Sequence, residues 1–472
     1  MAYGIDEHRL GLGMENLAMA SRSPRRRTRP AEAAVDCPPI IPPSAHGAKR
    51  RRAAAATSSS PWPSMREDLV SRIAERVLAA GDLLDYVRFR AACRHWRACT
   101  VDPRGRGVSD PRFHPRRWTM LPEGHGLRPG HAKLRGRARF FNRDTGAFVS
   151  AHLPLLADHC VLDSPEGLLL LQRDADTAVR LLHPFTGDVV ELPPLTSLVP
   201  QLDRLTGHRA RLDADEHKVQ PFRRIAAAVA VDAGAVTVLL ALEHICSFAH
   251  ACAGDRSWAL SSWSTDLVAR TLGFRGSLYL ACWDLEESSI LRLDAPVAGG
   301  ASSPPPSSLP LPQTIATVPS KLMSMPQLVE CGSEILVVGS TDISRSHLVV
   351  VRLADLVLGQ PPPVPLATIG EHCLFFGMRS VAVSSRGLPS VAGNTVILCD
   401  SIVDRLMQYN LADDSLSPAC DGDIVRSPPP CPHSIVHHLV TCCFRYFWNK
   451  GLIYCCKTKP TWGTKRKWRM GA

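Results

Sequence analysis

Residues 159–195 read HCVLDSPEGLLLLQRDADTAVRLLHPFTGDVVELPPL. Four short apolar runs stand out: Cys160-Val161-Leu162, Leu168 to Leu171, Ala178 to Leu182 and Val189 to Leu192. Between them lie Pro165-Glu166-Gly167 and His183-Pro184-Phe185-Thr186-Gly187-Asp188, and Pro193-Pro194-Leu195 closes the unit. Runs of this length bounded by Pro, Gly and Asp turns, one about every 8–12 residues, are strands of an all-β body.

The same texture extends in both directions. Upstream, Leu134 to Phe141, the turn Asn142 to Gly146 and Ala147 to Leu153 form a hairpin pattern. Downstream, Ile225 to Leu242 is apolar except for Asp232-Ala233-Gly234. A membrane span would bury that aspartate in lipid at a cost of about 2.5–3.5 kcal/mol, so two strands around a turn are expected instead. Further strand patterns follow at Thr271 to Leu293, Gln327 to Gly339, Leu348 to Leu353, Ser380 to Ser384 and Thr395 to Asn410. Units recurring at roughly 40–50 residues predict a β-propeller over a single sandwich, although the repeats are too degenerate to fix the blade count.

The chain has 472 residues, 45% hydrophobic and 21% charged, with 39 Pro and 32 Gly. It is long enough for a large core, and its punctuation suits turns rather than a helical bundle. The net charge of +11 is uneven. Residues 1–60 hold ten Lys/Arg against five acids, residues 426–472 hold nine against none, and the middle is close to neutral at −3. Charge so placed disfavours a nucleic-acid-binding body. Residues 1–60, rich in Pro, Ala, Ser and Arg, are expected to be a disordered tail. In it Lys49, Arg50, Arg51 and Arg52 are candidate nuclear-signal residues. Sixteen cysteines scattered over a long chain without a secretory leader predict reduced thiols in the nucleus and/or cytoplasm.

Residues 62–100 change period. Glu67-Asp68 open a helical pattern in which Leu69, Ile73 and Val77 recur every four residues, flanked by Val70, Ala74 and Leu78. Asp82 is placed to cap a second helix carrying Leu83, Leu84 and Val87. Phe89, Ala92, Cys93 and Trp96 then form a stripe at i, i+3, i+4 and i+7. Some forty residues of short helices bury too little surface alone, so part of their apolar face must be covered by the next domain or by a partner.

This segment resembles an F-box. The resemblance rests on Trp62-Pro63, Asp68 to Ile73, Arg76-Val77-Leu78, Asp82-Leu83-Leu84 and Phe89 to Arg97, the closing Cys-Arg-x-Trp-Arg being its most specific part. With His183 to Gly187 and Leu192 to Leu195, the whole chain resembles plant F-box proteins that carry a kelch-like β-propeller. One departure is Met65-Arg66, where many F-boxes have Leu-Pro. The resemblance implies the substrate-recognition subunit of an SCF-type ubiquitin ligase: the helices dock a Skp-type adaptor and through it a cullin, and the propeller binds a protein target. The adaptor-binding residues it assigns are Asp68, Leu69, Ile73, Val77, Leu78, Leu83, Phe89, Cys93 and Trp96. The implied layout is a tail (1–60), an F-box-like helical domain (61–104), a linker (105–128), a propeller-like domain (129–450) and a basic C-terminal tail (451–472).

No motif for catalysis stands out. The chain has no phosphate-binding Gly-rich loop with lysine and no Gly-x-Ser-x-Gly elbow, so no cofactor and no enzymatic activity are expected. Cys431-Pro432-His433, His437-His438 and Cys442-Cys443 match no standard zinc spacing, and a buried cysteine pair is the expected reading. Asp158-His159-Cys160 are consecutive on a strand, so their side chains point to opposite faces and cannot form a direct dyad. Arg112 to Trp118 mixes arginines with aromatic rings, and is expected to pack its rings at the junction with the arginines in solvent. Competing expectations are a hydrolase or lyase site in the propeller mouth, and a nucleic-acid-associated regulator using the basic tails.

Overall fold

The computed structural model describes residues 62–80, 82–121, 129–206, 224–265, 268–284, 286–296, 309–342, 347–357, 363–377, 379–388, 390–400, 405–419 and 435–443, with two short strands at 453–455 and 460–462. The expected tail 1–60, with Lys49 to Arg52, lies outside the described residues.

Six sheets make a six-bladed β-propeller. The first comprises β1 (Trp118–Met120), β2 (Arg137–Asn142) and β3 (Phe148–His152). The second comprises β4 (His159–Asp163), β5 (Leu169–Arg173), β6 (Val179–Leu182) and β7 (Val189–Leu192), the stretch quoted above. The third holds β8 (Ile225–Asp232), β9 (Ala235–Leu242), β10 (Ser247–Cys252) and β11 (Ala259–Ser264). The fourth holds β12 (Val268–Phe274), β13 (Ser277–Cys282), β14 (Glu287–Leu293) and β15 (Gln313–Pro319). The fifth holds β16 (Ser324–Cys331), β17 (Glu334–Ser340) and β18 (Leu348–Arg352). The sixth has five strands, β19 (His372–Phe376), β20 (Val381–Ser384), β21 (Thr395–Asp400), β22 (Arg405–Asn410) and β23 (Leu416–Pro418), and β19 pairs parallel with β21. Blade one begins at Trp118, inside the stretch expected to be linker, because Trp118 and Met120 pair with Asn142 and Phe140.

The apolar runs follow from burial on both faces. In β5 and the residue before it, Leu168 and Leu170 face the cluster shared with blade three, while Leu169 and Leu171 face the cluster shared with blade one. In β18, Leu348 and Val350 pack toward blade six and Val349 and Val351 toward blade four. A strand with period two and two buried faces reads as an unbroken apolar run. The apolar clusters link blade one to two, two to three, and so on to six, and back from six to one, so the ring is closed. The expected hairpin at Ile225 to Leu242 is β8–β9, turned at Ala233 (φ 48°) and Gly234 (φ 86°).

Ring closure uses no shared strand: blade one is built wholly from the start of the β body and blade six wholly from its end. A C-terminal helix, Ile435–Cys443, packs between them, with Val436, Leu439, Val440, Cys442 and Cys443 in one cluster with Phe140 and Phe375. The Cys442 thiol faces the Met120 carbonyl at 3.6 Å and the Cys443 thiol the Phe375 carbonyl at 3.6 Å. The cysteine pair is thus buried, as expected from sequence, and burial pushes the Cys442 thiol pKa well up. Nearby, Ser384 N donates to the Arg143 carbonyl at 2.8 Å, and the backbones of Gly146 and Gly387 meet so closely that a Cβ on either would collide with the other. Instead of only a solvated tail beyond residue 450, Ile453–Cys455 and Pro460–Trp462 pair as a short antiparallel ladder.

Ahead of the ring stand α1 (Glu67–Ala79), α2 (Leu83–Ala91) and α3 (Arg94–Ala98). Glu67 and Asp68 lie in the first turn of α1, where acids favour the helix dipole. Asp82 caps α2 by accepting from Leu84 N at 2.9 Å. The stripe from Phe89 to Trp96 is not one continuous helix. Cys93 is extended (φ −157°, ψ 165°) and caps α3, its sulfur accepting from Trp96 N at 3.4 Å. The break still brings Phe89 and Trp96 together as stacked rings, 4.4 Å between centroids.

Candidate functional site

The helices are fixed to the propeller on one side. Ala74, Leu78, Leu83, Tyr86 and Phe113 form a buried cluster, with Val77, Phe89 and the propeller's Phe185 packed against it. Tyr86 and Phe113 meet ring to ring at 5.8 Å, and Asn142 Nδ2 donates to Asp82 Oδ2 at 3.2 Å. Arg90 bonds the Val101 carbonyl and reaches Asp102 at 3.1 Å, pinning the chain as it leaves α3.

The motif His183 to Asp188 holds the connecting segment. His183 Nε2 donates to the Phe113 carbonyl at 3.0 Å, while its Nδ1 accepts from Phe185 N at 3.2 Å and Thr186 N at 3.0 Å. Burial drives its pKa down to about 4, so it is a neutral imidazole with a fixed tautomer. Asp188 accepts from Gly105 N at 2.9 Å and Gly107 N at 2.7 Å. A Cβ at Gly107 would come within 2.8 Å of Asp188 Oδ2, so this approach needs glycine. His114 Nδ1 meets Glu166 Oε2 at 2.8 Å, and Arg116 reaches the same oxygen at 2.9 Å. Burial alone would raise the pKa of Glu166, but the His114 hydrogen bond and the Arg116 charge outweigh it and hold that pKa below normal.

Arg112 to Trp118 is arranged as expected, with Phe113, His114 and Trp118 buried at the junction and the arginine side chains reaching solvent. The arginines are also paired: Arg112 with Asp110, Arg116 with Glu166 and Arg117 with Asp144. They line a cavity of about 640 Å³ between α1 and the turns of several blades, to which Arg143, Arg275 and Glu330 also contribute. Sequence reasoning missed these last three, which sit in hairpins of three different blades and share no local pattern.

The other side of the helices is open. Leu69 is 44% exposed, Val87 41% and Trp62 56%, and Ile73, Val77, Phe89 and Trp96 are half-buried beside them. Trp62 and Trp96 pack edge to face at 6.2 Å, and Trp96 Nε1 donates to the Trp62 carbonyl at 3.1 Å. Asp68 is exposed and paired with Arg66. Of the nine residues assigned by resemblance, Leu69 is exposed and Ile73 and Trp96 are half-buried, while Val77 and Phe89 pack against the cluster around Phe113. Leu78 (9% exposed) and Leu83 (2%) are enclosed in that cluster, and Cys93 serves as a cap. Elsewhere, Cys160 packs between blades two and three, while His159 bonds Asp158 at 2.7 Å and the Leu155 carbonyl at 2.9 Å. Residues 431–434 of the His/Cys stretch lie outside the described residues. No described helix is long and apolar enough to cross a membrane.

A closed ring of blades with helices packed against one part of it, and apolar side chains exposed on those helices, is a β-propeller protein-interaction module. The family model for the KIB1-4 beta-propeller matches residues 140–422, well over half the chain, and the chain belongs to that family. No curated protein matches it. Among solved structures, an alpha-L-arabinofuranosidase from Clostridium thermocellum is 11% identical, with 56% of this chain and 95% of that one covered. Its TM-score is 0.21, too low to support any argument about fold or activity.

Proposed function

We propose that the protein is a non-catalytic substrate receptor of an SCF-type ubiquitin ligase. In this reading the helices at 67–98 act as an F-box docking a Skp-type adaptor, and the kelch-like propeller presents a target protein. The observation that carries it is that Trp62, Leu69 and Val87 are exposed and Ile73 and Trp96 half-buried on helices whose Leu78 and Leu83 are enclosed with Phe113. A patch of this kind on a fixed support marks a partner site. The basic run Lys49 to Arg52 would act as a nuclear signal.

The test is co-purification of the full chain with a Skp-type adaptor. The expected result is a stable complex that Leu69→Asp with Ile73→Asp abolishes while far-UV circular dichroism and the thermal midpoint stay unchanged. No complex with the unmodified protein, or an unaffected complex with the double variant, overturns the reading.

A further inference from the structure

Every blade but two has four or five strands. Blade five stops at three, but Leu366 N donates to the Val350 carbonyl at 2.7 Å, so part of its outer edge is met. Blade one also stops at three, in the order β1-β2-β3, and among the described residues no strand lies beyond β3. The register fixes which backbone groups are left over. Asn142 N donates to the Ala147 carbonyl and Leu153 N to the Gly136 carbonyl, and between them Phe140 stands opposite Val149 and Ala138 opposite Ala151. Hydrogen-bonded and non-bonded pairs alternate along an antiparallel ladder. Ala147, Val149, Ala151 and Leu153 therefore turn their N–H and C=O groups inward to β2, while Phe148, Ser150 and His152 turn theirs outward. All three are exposed, Phe148 at 56%. A row of outward-facing amides is a template for one more strand.

Charge says what that strand is. The described residues 129–157 hold Lys133, Arg135, Arg137, Arg139 and Arg143 against one acid, Asp144, although the β body as a whole is near neutral. Lys133, Arg135 and Arg137 are exposed, and none of them has a carboxylate partner among the described residues. Arg137 stands opposite His152 and Arg139 opposite Ser150, so both share the sheet face of Phe148, Ser150 and His152. A second copy pairing β3 to β3 would bring two such faces into one sheet, like charge beside like charge. The two ends of this chain carry an excess of base as well, so neither complements the face.

We propose that β3 takes up an extended, acidic segment of a partner protein as a fourth strand of blade one. Backbone bonds to Phe148, Ser150 and His152 hold the strand. Its residue beside Phe148 is apolar, and those beside Ser150 and His152 are acidic and meet Arg139 and Arg137 on the same face. Two strand spacings of roughly 4.8 Å separate β2 from the incoming strand, a gap that an arginine and a glutamate leaning toward each other close. The edge belongs to the ring, and its occupancy does not depend on an adaptor at the helices.

The test uses the full chain and a fluorescein-labelled peptide, Thr-Glu-Thr-Glu-Thr-Val-Thr, capped at both ends and read by anisotropy. Aligned antiparallel to β3, it sets its two Glu and its Val beside His152, Ser150 and Phe148. The expected result is saturable binding that weakens as salt rises and is absent when Lys replaces Glu in the peptide. Arg137→Glu should weaken it about tenfold or more, and so should Ser150→Pro, whereas Ser150→Thr should retain it. The Ser150 N–H faces outward, so proline there breaks no bond to β2, and the thermal midpoint should stay unchanged. The peptide N-methylated at both Glu and at Val keeps its charge but loses its bonding edge, and it should not bind even the wild type. That arm decides the question if Ser150→Pro folds poorly. No binding of the unmodified peptide, as an edge already filled by the chain itself would give, overturns the proposal. Equal binding of the N-methylated peptide means that charge alone is read and overturns it too, as does a dimer in sedimentation that Ser150→Pro dissociates.

Discussion

His183 carries a cost that acid should reveal. Burial holds its pKa near 4 in the folded chain, against an ordinary value of 6.5. Between those values the unfolded chain binds a proton that the folded chain refuses, so protons favour unfolding. Denaturant unfolding should show His183's contribution complete above about 6.5 and progressively lost as pH falls toward about 4. His183→Gln, lacking a titrating group, should flatten the pH slope over that interval even though it lowers absolute stability. The motif His183 to Asp188 stands out in sequence as a turn, but its work as a clamp does not. Its partners Phe113 and Gly105 lie 70 and 83 positions away, and no local pattern encodes them.

The three short helices divide their apolar residues between two duties, and the division can be measured. Leu83 is 2% exposed against Phe113 and Leu69 is 44% exposed. Leu83→Ala should cost about 2–5 kcal/mol of unfolding free energy, whereas Leu69→Ala should stay within about 0.5 kcal/mol. Equal losses in chemical denaturation would contradict this arrangement. The four-residue period of Leu69, Ile73 and Val77 and the capping Asp82 made α1 and α2 legible in sequence. Which apolar residues face the ring was not legible, because that depends on where Phe113 and Phe185 arrive. The break at Cys93 was hidden for a different reason: Phe89, Ala92, Cys93 and Trp96 have perfect helical spacing, and only the capping of α3 by the Cys93 sulfur shows the turn between two helices.

For the whole molecule, the strands were readable because blades bury both faces and their turns are rich in Gly, Pro and Asp. The number of blades was not, since the six sheets hold three, four or five strands and the last departs from simple order. The closing helix does not declare itself in sequence, because its nine residues (Ile435–Cys443) are short enough to suit a strand as well. Its importance is testable. A chain ended at residue 434 should show a lower thermal midpoint, and amide exchange should quicken first in β1–β3 and β19–β23, which flank the gap. Uniform acceleration around the ring, or none, would contradict a seam at that position.

A wedge drawn from the last part of the β body has a further consequence for biosynthesis. The first blade emerges from the ribosome with one flank bare, and only blade six and the helix at Ile435–Cys443, the last parts of the ring to be made, cover it. During that wait Trp118, Phe140 and Phe141 are candidates for capture by chaperones, and for mispairing with other nascent chains. A chain ended between the last blade and the closing helix would therefore carry six blades around an unfilled seam, a product that quality control would have good chemical reason to recognise.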